Sequence, residues 1–371
     1  MLYLDNAATS VPLKDAADLA SVYFEKYFNP SALYSGGIEV ASFIKEAKEF
    51  VTNSVCPSGY ECVFTSGGTE ADNTAVFSFA KRGNAVTTSG EHSAIYEPFR
   101  ELSARGLETR FAKLNADGSV NVDDLLSKTD AGTSFVSVVH VNNETGAVND
   151  INEIAAQIKK INPKAVFHSD GVQAFGKIPF RLSSNVDTYS VSAHKIGALK
   201  GTGALIKTKR LKLYPLIFGG GQENGMRSGT ENVPGIAAFY RAAQIRYSAV
   251  RENYSHALKV KKTFLSGIDG QGVKVVSPEN GSPYIVCIIA AGLRGEVLQH
   301  MLEKQGVIVG TGSACAARHR HSRILTACGY TGGELEGVLR VSFSPETEEA
   351  DAVFAAEKIN EAINSLKKVI G

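Results

Sequence analysis

The sequence predicts a wound α/β sheet joined to a smaller α+β lobe, and three observations carry that expectation. Between Glu61 and Lys209, short β-rich runs alternate with helical patterns, as in sheets covered on both faces by helices. After Gly229 the rhythm changes to a long helical stretch followed by a mixed set of strands and helices. The 371 residues also exceed one domain of roughly 100 to 200 residues. The expected division is a large domain over residues 15–250 and a small one built from 1–14 together with 251–371.

Seven strands are expected in the first region: Cys62–Thr65, Ala85–Thr88, Thr109–Ala112, Phe135–Val141, Ala165–His168, Thr188–Val191 and Ala204–Lys207. Helices separate them. Ile151, Ile154, Ala155, Ile158 and Ile161 fall on one face at the 3.6-residue period. A long helical stretch is expected from roughly Pro234 to Leu265, much of it polar or charged on one side, bridging two lobes. The second region then reads as strands at Val273–Val276 and Tyr284–Ala290, a helix at Gly295–Lys304, strands at Val307–Val309 and Val338–Phe343, and a last helix from Glu348. Ligands of wound sheets bind beyond the carboxyl ends of the strands.

Composition narrows the class of partner. Thirty-nine Lys and Arg against 38 Asp and Glu leave a net charge of +1, which sets up no field to recruit nucleic acid or an anionic membrane. The longest apolar run, Tyr284–Leu293, is too short to span a bilayer, and Met1–Asp5 has no secretory n-region. A soluble, cytoplasmic protein acting on a small molecule is expected. Five cysteines without CxxC pairs read as reduced thiols, one of them a candidate for reactivity.

Several strand ends carry chemistry-bearing residues. Ser66-Gly-Gly-Thr69-Glu70 opens a helix with a glycine turn, so backbone N–H groups and the Thr69 hydroxyl stand where a phosphate binds, or where an ordinary helix is capped. Asp170 and Gln173 follow one strand; a buried carboxylate there suits a pyridinium nitrogen, and a helix cap uses the same residue type. Lys195, in Ser192-Ala-His194-Lys195, stands where a desolvated amine forms a Schiff base. His92 and Asn143 also sit at strand ends, where each alone would equally be a turn residue. Together these groups suit pyridoxal phosphate: phosphate on a helix end, ring stacked, pyridine nitrogen on Asp170, aldehyde on Lys195.

Beyond them, Cys315 lies in a small-residue loop ahead of the basic stretch Arg318–Arg323, the setting of a mobile nucleophilic thiol. His319 and His321 have no further ligands at metal spacing, and no resident metal is expected. Arg340 is a charge within an apolar strand, suited to anchoring a substrate carboxylate, and Arg227-Ser-Gly-Thr230 offers a cation and a hydroxyl after a glycine run.

The motifs Tyr3-Leu-Asp-Asn-Ala-Ala-Thr9, Asn29-Pro-Ser31, Phe64-Thr-Ser-Gly-Gly-Thr-Glu70, Glu91-His92, His140-Val-Asn-Asn-Glu144, Asp170-Gly-Val-Gln173, Ser192-Ala-His-Lys195, Arg227-Ser-Gly-Thr230 and Gly312-Ser-Ala-Cys315 resemble, nearly end to end, the NifS/IscS-like cysteine desulfurases. These form part of the class V aminotransferases among the fold-type I pyridoxal-phosphate enzymes. The resemblance implies that Lys195 carries the cofactor, His92 stacks on its ring, Asp170 pairs with its pyridine nitrogen and Gln173 with its phenolic oxygen. It further implies that Gly68, Thr69, Ser192 and His194 hold the phosphate, and that Thr230 reaches the phosphate of the other subunit of a homodimer. Asn143 would contact cofactor or substrate, and Arg340 the substrate carboxylate.

The implied reaction converts L-cysteine to L-alanine. Lys195 moves the substrate α-proton, and Cys315 takes the sulfur as a persulfide. Sulfur then passes to an acceptor protein such as an iron–sulfur scaffold, or toward another thio-cofactor or tRNA thiolation, with Cys315 at most a transient cluster ligand. A selenocysteine lyase or another class V aminotransferase or lyase is the alternative. Departures from the family pattern are Tyr34 after Asn-Pro-Ser, Gln222 after the glycines, Gly171-Val172 in place of a common Ala-Thr, and the basic residues after Cys315.

Overall fold

The computed structural model describes residues 1–311 and 321–370, so the expectations placed on Cys315 and on Arg318, His319 and Arg320 lie outside the described residues. The chain begins with β1 (Leu2–Leu4), α1 (Lys14–Glu25), α2 (Ser35–Val55), β2 (Tyr60–Thr65), α3 (Gly68–Phe79), β3 (Asn84–Thr88), α4 (Ser93–Ala104) and β4 (Glu108–Ala112). It continues with α5 (Val122–Ser127), β5 (Thr133–Ser137), α6 (Ile151–Ile161), β6 (Val166–Asp170), β7 (Thr188–Ser192), β8 (Gly203–Thr208), α7 (Val233–Ser248) and α8 (Val250–Gly267). The last part holds β9 (Val273–Val275), β10 (Ile285–Ala290), α9 (Gly295–Lys304), β11 (Val307–Val309), α10 (Arg323–Ala327), α11 (Gly333–Glu336), β12 (Val338–Ser342) and α12 (Glu349–Ile370).

Seven strands form one mixed sheet in the order β2-β8-β7-β6-β5-β3-β4. Only β8 runs against its neighbours; the pairings from β7 through β6, β5 and β3 to β4 are parallel. All the other strands therefore end at one edge of the sheet. Every residue of β3, β7 and β8 is buried, as in a sheet covered on both faces. Helix α6 shows how the covering layer forms. Asp150 accepts a hydrogen bond from Glu153 N at 3.1 Å to cap it, and Ile151, Ile154, Ala155 and Ile158 are buried, each isoleucine contributing about 1.5–3 kcal/mol.

The smaller lobe holds an antiparallel sheet β12-β10-β9 and the parallel pair β1-β11. Val260, Phe264, Ile288, Leu298, Leu339 and Ile359 make its core, against α8, α9 and α12. Through β1 the first residues of the chain join this lobe. Asp5 bridges to Ser342, Gly310 bridges to Arg340, and Ala7 N donates to Ser342 Oγ at 2.9 Å.

Two expectations are corrected. The helical stretch expected from roughly Pro234 to Leu265 is divided into two helices, because Ala249 leaves helical geometry at φ −134°, ψ 25° between α7 and α8. Neither Gly nor Pro marks the break, so the sequence carried no punctuation for it. The strand expected over Phe135–Val141 ends at Ser137, although Val138 N and His140 N still donate to His168 O and Asp170 O at the end of β6. Beyond it the chain turns on Asn142, whose Oδ1 accepts from Glu144 N and Thr145 N at 2.9 Å each; that side-chain cap competes with continued pairing.

Candidate active site

The shared edge where the strands end opens onto a cavity of about 250 Å3. Gly68, Thr69, His92, Asn143, Asp170, Gln173, Ser192, His194, Lys195 and Arg340 all line it. Ten of the residues singled out in the sequence are thus brought together. Thr230 is not among the lining residues and is exposed, and Cys315 lies outside the described residues.

Helix α3 starts at Gly68, leaving the N–H groups of its first turn for an anion. A Cβ on Gly68 would come within 2.7 Å of Val172 Cγ2 and 3.5 Å of Ser192 Cβ, so only glycine leaves this cradle open. Glu70 holds the turn: it accepts from Ser66 N at 2.8 Å and from Arg227 Nε at 2.9 Å. The loop that carries Thr230 is thereby tied to the same helix end.

After β7, a single 3-10 turn over Ala193–Lys195 presents His194 and Lys195. Lys195 Nζ donates to the carbonyls of Ala7 and Ala8 at 2.6 and 2.7 Å, and His194 Nδ1 lies 3.1 Å from Thr9 Oγ1. Burial, reinforced by the neighbouring Lys195, depresses His194 to about 4. His92 caps α4, its Nδ1 accepting from Ala94 N at 3.1 Å. Burial and then the cations Lys195, Arg323 and Arg340 lower it to about 4, so the ring that meets the cavity is neutral at pH 7.

Asp170 ends β6 and accepts from Val172 N at 2.9 Å. Burial first, and the carboxylate of Asp72 second, raise it to about 7. Asp72, on α3, is likewise raised to about 7 by burial; its Oδ1 lies 3.2 Å from His168 Nε2. A fully buried carboxylate of this kind is costly unless a cation meets it. Arg340, on β12, donates from Nη2 to Asp5 Oδ1 at 2.9 Å and from Nη1 to Asn143 O at 3.0 Å. Its buried Nε and the buried Asn143 Oδ1 have no hydrogen-bond partner among the described residues.

These residues fit pyridoxal phosphate. The open Gly68 cradle suits a phosphate, the under-compensated Asp170 carboxylate suits a protonated ring nitrogen, and the unpartnered Arg340 Nε suits a carboxylate on the substrate side. Sequence reasoning missed three residues here. Asp72 carried a signal, since it stands four positions after Gly68 and so returns to the same face of α3. Asp5 carried none beyond lying within the Tyr3–Thr9 motif, and Lys177, four residues past Gln173, carried none.

Comparison with known proteins settles the family. The family model for aminotransferase class V matches residues 2–353. The chain belongs to that family, within its cysteine desulfurase branch. A NifS/IcsS protein homolog of Lactobacillus delbrueckii subsp. bulgaricus is 35% identical over 370 residues, covering 96% of each chain. A putative cysteine desulfurase IscS 1 of Bacillus subtilis is 33% identical, over 98% of this chain and 99% of that one. The solved structure of a NifS-like protein superposes with a TM-score of 0.91 at 32% identity, over 98% of this chain and all of the other. These matches span 96–98% of the chain.

Proposed function

We propose that this desulfurase converts L-cysteine to L-alanine with Cys315 as the sulfur acceptor. The balance closes within the site: the substrate Cβ–S bond breaks, an S–S bond forms to Cys315, the thiol hydrogens pass to the persulfide and to the alanine methyl group, and no outside oxidant is needed. Pyridoxal phosphate supplies the electron sink that such bond cleavage at an amino acid requires.

The residues then divide the work. Gly68, Thr69, Ser192 and His194 would hold the phosphate of such a cofactor, and His92, Asp170 and Gln173 would hold its ring. Lys195 would anchor it, and its amine would carry the substrate α-proton. Arg340 receives the substrate carboxylate through its unpartnered Nε, beside Asn143. The observation that carries the reading is the meeting in one cavity of the Lys195 amine, the buried Asp170 carboxylate and that unpartnered guanidinium nitrogen.

A homodimer completes the arrangement. Tyr27, Leu33 and Phe218 are 79%, 91% and 69% exposed in the single chain, large apolar side chains that a second copy would cover, while exposed Thr230 would reach the neighbouring phosphate. The persulfide then passes to an acceptor protein such as an iron–sulfur scaffold. No helix among the described residues is long and apolar enough to cross a membrane.

The test is single-turnover release of alanine and sulfide from L-cysteine, with bound cofactor confirmed by visible absorption. Cys315→Ser should keep the cofactor and yield no alanine above background, and Lys195→Ala should yield none at all. Formation of pyruvate or a keto acid independent of Cys315 would assign a lyase or transaminase instead.

A further inference from the structure

Lys177 is a buried lysine that none of the steps above uses. After β6 the chain winds a helical turn: Ala174 N and Phe175 N both donate to Gly171 O at 2.9 Å, and Ile178 N donates to Ala174 O at 3.1 Å. Positions 173 and 177, one turn apart, therefore share a face. Lys177 is 6% exposed, and its Nζ donates to Gln173 Oε1 at 2.9 Å, its one side-chain hydrogen bond among the described residues. At the other end of the same amide, Gln173 Nε2 donates to Ala7 O at 2.8 Å. That carbonyl also accepts from Lys195 Nζ at 2.6 Å.

A glutamine amide has a donor end and an acceptor end of nearly equal shape, so its orientation is set by its neighbours. Here a lysine donor meets the oxygen and a backbone carbonyl meets the nitrogen, and turning the amide over would break both bonds. Nε2 keeps a second hydrogen, and Gln173 lines the cavity. We propose that Lys177 is a positioning residue that locks the Gln173 amide with its nitrogen toward Lys195 and the cavity, so that a donor meets an anionic oxygen of the bound cofactor. The inference rests on the reading of Gln173 as the partner of the phenolic oxygen. Burial among Lys195, Arg246 and Arg340 pushes Lys177 well below the usual lysine value, and a neutral amine still donates to Oε1.

The test uses the holoenzyme. Lys177→Met keeps an unbranched buried side chain and removes the donor. Losing a donor to an anion favours the protonated form, so the pH midpoint of the visible cofactor band should move up by about one unit, with cofactor binding about tenfold weaker. Lys177→Arg, which restores a donor, should return both toward wild type, an outcome that lost packing alone does not produce. In a Gln173→Ala background, Lys177→Met should add nothing further to the midpoint. Lys177→Leu is made alongside with the same expectation, in case the Met variant does not fold. An unchanged midpoint in Lys177→Met, or an equal shift in the Gln173→Ala background, would overturn the proposal. A Gln173→Ala enzyme with the wild-type band would overturn the reading of Gln173 as the partner of the phenolic oxygen and this proposal with it, while the desulfurase assignment stands or falls separately on the alanine assay.

Discussion

At position 171 the sequence departs from the family pattern, and the neighbouring ring explains it. A Cβ there would fall 1.9 Å from Tyr189 Cζ and 2.3 Å from its hydroxyl oxygen. Tyr189 is fully buried, with its hydroxyl 2.8 Å from His140 Nδ1. Gly171→Ala should therefore destabilise the protein by about 1–3 kcal/mol, measured by urea denaturation, and Tyr189→Leu in the same background should recover part of the loss. No difference between Gly171→Ala and wild type would show that the ring has room to move. Asp170 makes a second prediction, for the cofactor-free protein. Its folded value of about 7 stands above the ordinary 3.8, so between these values the folded state keeps a proton that the unfolded state has lost. The contribution of Asp170 to stability thus declines as pH rises from about 4 to about 7. Asp170→Asn has no such term and should gain in Tm relative to wild type across that window, levelling off above it; a Tm difference independent of pH would contradict the assignment. Residues of this kind were only half legible. Asp170 announced itself by standing at a strand end, but its coupling to Asp72 needs the fold that brings α3 against β6.

Elements were legible where periodicity met punctuation. Gly295–Lys304 and Val307–Val309 have the bounds that the apolar pattern predicts, and the large-sheet strands agree within two residues apart from the run after Phe135. The failures were places where local sequence gave no mark. Ala249 breaks a helix without Gly or Pro, and Asn142 ends a β-rich run through side-chain bonds to the residues that follow it. The segment after β1 showed a motif but not its use. Its carbonyls at Ala7 and Ala8 hold Lys195 and Gln173, its Asp5 holds Arg340, and Leu4 is fully buried in the small-lobe core. Removing residues 1–9 should lower Tm and abolish retention of pyridoxal phosphate through gel filtration, even though Lys195, Asp170 and His92 remain. Retention at wild-type occupancy would mean that these carbonyls do not organise the lysine.

Across the whole molecule, the cavity draws on residues as far apart in the chain as Ala7 and Arg340. Topology accounts for this. One set of parallel strands delivers Thr69, His92, Asn143, Asp170 and Lys195 to a common edge, and the small-lobe sheet brings Arg340 in on β12. Arg246 links the two parts: its Nε donates to Ile196 O at 3.0 Å, beside Lys195, and its Nη1 pairs with Glu346 at 2.5 Å. The fold class could be read from the alternation of patterns, whereas the closure of chain start on chain end could not, because no local period encodes a contact between Ala7 and Ser342. That closure sets an order of events during synthesis. The residues that hold Lys195 and Gln173 leave the ribosome first, yet β1 waits for β11 and Ala7 N for Ser342 on β12, so a nascent chain stalled before Ser342 carries Lys195 without a finished seat for it. On the proposed function, cofactor capture would thus wait for nearly full-length chains.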